Sequence, residues 1–193
     1  MDTVVKKSER RSKKINPKKF GMWIALASIV MMFGGFTSGY IVRKSQGNWL
    51  QFDLPVHLYI STATVLISSL TMWLSAKSFK KGNKQGYQLF LLLTALLGIT
   101  FAALQYFGFK ELFSQITWNN NVSLQYLFVI IGVHALHILG GVIALLVMTI
   151  QAMYRKKPYD FTKENISLSI ISAFWHFVGI LWIYLFLFFL LNR

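Results

Sequence analysis

The chain has 193 residues, of which 55% are hydrophobic and 13% charged, with a mean hydropathy of +0.51 and a formal net charge of +14. That balance excludes an ordinary soluble domain. The absence of cysteine excludes disulfides, iron–sulfur clusters and thiolate metal sites.

Charge-free runs cover residues 20–42, 54–76, 85–109, 112–154 and 165–192. A hydrocarbon core about 30 Å thick is crossed by roughly 20 apolar residues of helix, so every run is long enough to span. The expected fold is all-α: a polytopic bundle of five transmembrane helices at about 20–42, 54–76, 87–109, 124–154 and 165–191. Residues 1–19 form a basic tail ahead of the membrane domain, 20–193.

Eight of the 20 Lys and Arg precede Phe20. Counting alternate loops places sixteen cations on the N-terminal face and four on the other. An excess of Lys and Arg marks the cytoplasmic side, so the N-terminus is expected in the cytoplasm and the C-terminus outside. The tail then lies against anionic phospholipid headgroups, each cation contributing about 1 kcal/mol near that surface. No aromatic residue interrupts the tail, which argues against nucleic acid as its partner.

The first helix contains Gly35 and Gly39, a small-xxx-small pair that lets another backbone approach closely, either within the chain or at a subunit interface. The second opens at Asp53-Leu54-Pro55, where proline suits the first helical turn. Its centre is dense in hydroxyls, Ser61 to Thr64 and Ser68 to Thr71, expected to form a face for helix contact. The third helix has Gln105 near its outer end. Trp118 in the next loop is expected at the membrane interface. The fourth, 124–154, is longer than a bilayer requires, which implies tilt or protrusion. Pro158 and Asp160 break the chain before the fifth.

The ionisable groups at membrane depth are histidines: His57, His134, His137 and His176. Such groups are costly in hydrocarbon and are usually functional or partnered. His134 and His137 share a helix face. His134 and His176 each lie about ten residues in from a helix end, roughly 15 Å deep, so antiparallel helices can present them to each other. Two readings stay open from the residues: neutral rings tying helices four and five into a polar network, or a bis-histidine clamp on haem, as in b-type membrane cytochromes.

Four blocks resemble subunit III of the haem–copper oxidases, in that family's order. They are Ile60-Ser61-Thr62 with Leu66-Ile67-Ser68-Ser69-Leu70-Thr71; Leu97-Gly98-Ile99-Thr100-Phe101 with Gln105; Gly132-x-His134-Ala135-Leu136-His137-x-x-x-Gly141; and Trp175-His176-Phe177-Val178 with Trp182-Ile183-Tyr184-Leu185-Phe186. The resemblance runs from about Phe20 to the C-terminus, and the helix count resembles the short, five-helix bacterial form. It implies a non-catalytic subunit of a respiratory terminal oxidase, multi-pass in the bacterial inner (plasma) membrane. Such a subunit stabilises subunit I, contacts subunit II and phospholipid, and supports proton uptake during oxygen reduction. No cofactor or metal is expected in this chain; haem and copper belong to the partner subunits.

Gly35, Gly39, Gln105, Glu111 and Trp175 are the expected interface or lipid contacts, and His134, His137 and His176 the structural polar network. The resemblance favours cytochrome c over quinol as electron donor to the complex, with a quinol oxidase as the alternative. A membrane scaffold outside respiration is a further reading. The chain departs from the family's pattern where acids are usual: Gly179 follows Trp-His-Phe-Val, Gly108 follows Gln105 by three, and Val56-His57 stand early in the second helix. Proton-antenna roles built on those acids do not carry over.

Overall fold

A computed structural model describes residues 16–45, 47, 53–114, 122–154 and 161–192. Over these the chain forms five helices: α1 (Pro17–Lys44), α2 (Val56–Lys80), α3 (Lys84–Ser114), α4 (Val122–Tyr154) and α5 (Phe161–Asn192). Each is long and apolar enough to cross a membrane. The tail up to residue 15, Trp118, and the Pro158–Asp160 break lie outside the described residues.

The helices overrun the charge-free segments at most of their ends, for local reasons. Lipid forces a backbone to satisfy its own hydrogen bonds, but helix does not stop where charge begins. α1 starts at Pro17, because Asn16 caps it through a bond from Lys18 N to Oδ1 (3.1 Å) and proline fits the first turn. Lys18 and Lys19, assigned to the tail from sequence, are therefore helical. Pro55 sits one residue before α2 as its N-cap rather than inside the first turn. Arg43 and Lys44 end α1, and Lys77 and Lys80 end α2, where cations complement the carbonyl ends of the helix dipole. Gly82 takes a positive φ of 72°, which turns the chain sharply between α2 and α3. Asn83 then accepts from Gly86 N at 3.0 Å to start α3.

α2, α3, α4 and α5 form a closed ring, each packed against the next and α5 returning to α2. α1 lies outside the ring against α4 and α5 and, among the described residues, approaches neither α2 nor α3.

The closest pairing is the α2–α3 hairpin. Its buried residues in α2 are Leu58, Ser61, Val65, Ser68, Met72, Ser75 and Phe79, a strict three–four alternation. α3 answers with Tyr87, Leu91, Thr94, Gly98, Phe101, Gln105, Gly108 and Leu112 in the same rhythm. That spacing is a heptad seam, the pattern that winds two helices into a left-handed supercoil. Here every second seam position of α2 is serine. A small hydroxyl residue allows close approach and bonds across, which matters where lipid removes the hydrophobic drive between helices.

Candidate functional site

The centre of the ring is built by two tryptophans of α5, Trp175 and Trp182, two turns apart and each 1% exposed. The indole N–H of Trp175 donates to Ser68 Oγ of α2 at 3.0 Å. Its ring fills the space over two glycines: a Cβ on Gly98 of α3 would stand 2.9 Å from Trp175 Cη2, and one on Gly141 of α4 would stand 3.1 Å from Cε3. One side chain thus meets all three other helices of the ring. Trp182 repeats the device. Its N–H donates to Thr62 Oγ1 of α2 at 2.9 Å, its ring stands edge-on to Phe101 and Phe109 of α3, and it stacks on His134 of α4 (5.5 Å, 18°).

Both hydroxyls that receive these bonds are themselves tied to backbone. Thr62 Oγ1 donates to Leu58 O (2.8 Å), and Ser68 Oγ reaches Thr94 O (3.4 Å). Thr71 and Thr94 join across the same seam at 2.9 Å, and Ser75 Oγ donates to Tyr87 O at 3.2 Å. Near the other end Gln105 Nε2 donates to Ser61 Oγ at 3.0 Å. Each such bond in a membrane contributes about 0.6 kcal/mol, so the ladder as a whole fixes the register of α2 on α3. Ser61, Thr62, Thr64, Ser68, Thr71 and Ser75 of α2 bond to neighbouring helices or to their own backbone.

The histidines are placed separately. His134 is fully buried, and neither ring nitrogen has a hydrogen-bond partner; Trp182 covers one face and Phe33 of α1 stands edge-on at 6.3 Å. His137 Nδ1 bonds Val133 O of its own helix at 2.7 Å and meets Phe33 at 5.9 Å. His176 is half-buried. No hydrogen bond joins any two of these three rings among the described residues; the contact His134 makes with helix five is aromatic stacking on Trp182, beside the packing of Trp175 on Gly141. His57, at the start of α2, faces Glu111 of α3, Nδ1 to Oε2 at 2.8 Å with both side chains about half exposed. Among the described residues no three His, Cys, Asp or Glu side chains converge to hold a metal.

The glycine pair of α1 divides. Gly39 packs under Tyr126 of α4, whose Cε1 would lie 3.1 Å from an added Cβ, whereas Gly35 faces open space. Thr37 bonds the Tyr184 hydroxyl at 2.8 Å, and Lys44 Nζ donates to Asn192 O at 2.7 Å; both anchor α1 on α5. Sequence reasoning gave Trp175 a contact role and put Thr62 on the hydroxyl face of α2; it quoted Gly98, Gly141 and Trp182 within the resemblance blocks without assigning them partners, and did not name Ser75. The available signal was the seven-residue recurrence of Ser61, Ser68 and Ser75, matched by Trp175 and Trp182 at the same interval.

A five-helix membrane bundle held by internal aromatic and hydroxyl contacts is the class of protein that fold and site define. The family model for cytochrome c oxidase subunit III matches residues 50–192. Relatives agree along nearly the whole chain. A probable cytochrome c oxidase subunit 3 of Nocardia farcinica is 32% identical over 89% of this chain and 86% of its own length. The cytochrome bo(3) ubiquinol oxidase subunit 3 of Buchnera aphidicola is 30% identical over 92% and 95%. A probable quinol oxidase subunit 3 of Staphylococcus saprophyticus is 25% identical over 92% and 90%. The chain belongs to the cytochrome c oxidase subunit III family, as subunit III of a haem–copper oxidase.

Proposed function

We propose that this chain is a non-catalytic subunit that packs against subunit I of its oxidase in the plasma membrane, stabilises it and supports its proton uptake. In this reading the N-terminus is cytoplasmic, the C-terminus lies outside, and haem and copper reside in the partner subunits. The observation that carries the reading is how the polar groups are used. The two buried indoles, the amide NH2 of Gln105 and the hydroxyls of Thr71, Thr94 and Ser75 bond between the ring's own helices, which builds a rigid wall rather than a reaction centre. The outer surface is correspondingly apolar, with Met31, Leu66, Leu70, Leu136 and Ile143 exposed, suited to lipid and to another membrane subunit.

The donor to the complex is left to the partner subunits. The relatives' names divide between cytochrome c and quinol, while the Trp-His-Phe-Val block supports cytochrome c. Extraction in mild detergent followed by mass spectrometry is expected to recover the chain with a haem–copper subunit I. Deleting the chain is expected to leave the haem spectrum of the remaining complex intact while activity decays faster during turnover. Disappearance of a haem band on deletion, or a haem spectrum from the isolated chain, overturns the reading.

A further inference from the structure

A cavity of about 460 Å³ opens between α3 and α4, in the half of the bundle nearer the C-terminal end of α3. Its volume falls in the range of small-ligand sites. The two walls differ. On α3, Tyr106, Phe109 and Phe113 follow one another at three and four residues, so three aromatic rings share one helix face. On α4, Ile131, Ala135 and Ile138 are aliphatic, and the short side chain of Ala135 leaves the gap. A slot between aromatic rings and a methyl group suits a flat ring, which gains edge-to-face or offset contact on the aromatic side.

Two polar groups line the same slot, both from α3: Gln105 and Lys110. Gln105 is 4% exposed and its Oε1 has no hydrogen-bond partner. The orientation of that amide follows from its neighbour. Ser61 has one hydroxyl proton and uses it on Leu58 O at 2.8 Å, so Ser61 Oγ can only accept, and Gln105 must present its NH2 there. The carbonyl is left short of a donor, and rotation of the amide about its bond to Ser61 turns that carbonyl into the slot.

Lys110 is exposed and has no anionic partner among the described residues. The neighbouring acid, Glu111, is turned to His57 on the α2 side, as expected for adjacent residues that do not share a helix face. An acceptor short of a donor thus stands five residues, about 7–8 Å along the helix, from a cation short of an acceptor. Together they select a ligand that donates at one end and accepts at the other. Lipid esters only accept, and so do quinone carbonyls. A phenolic hydroxyl, like that of tyrosine, does both, and a hydroquinone carries two of them at opposite ends of one flat ring.

We propose that the α3–α4 slot binds one apolar-tailed hydroquinone in its reduced form. The ring lies against Phe109 and Ala135, one hydroxyl donates to Gln105 Oε1, the other accepts from Lys110 Nζ, and the tail leaves by the open side of the slot into the lipid. Binding alone is assigned, with no electron moved. The inference rests on the membrane-subunit reading only in placing the slot within a bilayer.

The test is isothermal titration of the full chain in detergent under argon, with decylubiquinol and with decylubiquinone as probes. Wild type is expected to bind one hydroquinone per chain, about fivefold more tightly than the quinone, the effect of one hydrogen bond. Gln105→Met keeps the side-chain length without the acceptor and is expected to bind the two forms equally. Lys110→Gln, a surface change that leaves Gln105 in place, is expected to weaken both forms while the preference stays. Ala135→Phe, which fills the slot, is expected to abolish binding while circular dichroism stays helical. Equal or tighter binding of the quinone by wild type, binding that survives Ala135→Phe, or displacement of the hydroquinone by equimolar phosphatidylglycerol overturns the proposal. Recovery of oxidase subunits is scored separately. Hydroquinone binding without them removes the assembly reading and leaves the site, and an assembled complex whose chain binds no hydroquinone does the reverse.

Discussion

Trp175 Cη2 lies 2.9 Å from where a Cβ on Gly98 would stand, so α3 and α5 meet at a distance that only glycine permits. The indole cannot retreat, because its N–H is held by Ser68 on the far side and its other edge rests on Gly141. Replacing a helical glycine by alanine ordinarily favours the helix by about 0.5–1 kcal/mol. Here overpacking dominates, at about 1–3 kcal/mol. Gly98→Ala is expected to lower the thermal stability of the detergent-solubilised chain, and Gly141→Ala, with its wider 3.1 Å clearance, to lower it less. Thermal melting followed by helical circular dichroism orders the two.

Gly35→Ala makes the opposite case. Nothing stands within 4 Å of the added methyl, so the isolated chain is expected to hold its stability or gain up to about 1 kcal/mol. If α1 presents this face to subunit I, the same variant weakens recovery of the complex. Measuring chain melting and co-purification side by side separates the two effects, and unchanged recovery removes Gly35 from the interface.

Ser68→Ala strips the acceptor from a buried indole N–H and is expected to cost about 1 kcal/mol. Trp175→Phe costs more, because the ring's contacts shrink as well. The double variant isolates the bond, with an expected coupling near 0.6 kcal/mol. A coupling of zero would mean that the indole and the hydroxyl act independently.

How much of this was legible in the residues depends on the scale of the pattern. Five spans follow from gaps between charges, because hydrocarbon tolerates apolar helix and little else, and the helices fall where those gaps lie. Their ends do not, because capping by Asn16 and Asn83 sets them in the interface, where charged residues are welcome. The hydroxyls of α2 are visible as a contact face, and Trp175 stands out in its block. Partner assignment is another matter. His57 meeting Glu111, or Thr62 meeting Trp182, depends on how α2 turns toward α3 and α5, and hydropathy carries no such information. His134 and His176 illustrate the same gap: equal depth does not make two rings face each other.

His134 and His176 are expected to respond differently to leucine. His134 sits between Trp182 and Phe33 with neither nitrogen bonded, so His134→Leu removes two unpaired polar atoms from an apolar cage. Its melting temperature is expected to match or exceed wild type; a loss above about 1 kcal/mol would show those nitrogens to be partnered in the bilayer. His176→Leu, at a half-buried position, is expected to weaken assembly with the oxidase more than it changes turnover of the complexes that form. Intact complexes with abolished turnover would instead assign His176 a part in proton movement.

The His57–Glu111 pair clips the end of the α2–α3 hairpin, but both partners are about half exposed, so water screens them. Glu111→Gln is expected to cost less than about 1 kcal/mol, with the difference from wild type fading as salt is raised. Melting curves at low and high ionic strength test this, and a salt-independent loss of several degrees contradicts it.

The position of α1 outside the ring has a consequence for biogenesis. This helix is made before the other four, yet the surfaces that receive it belong to α4 and α5, which begin at residues 122 and 161. While α2 and α3 zip together as an adjacent hairpin, α1 waits in the bilayer with Phe33, Thr37 and Tyr40 uncovered until α4 and α5 have left the ribosome. A helix made ahead of its four neighbours thus finds its seat only after they are in place.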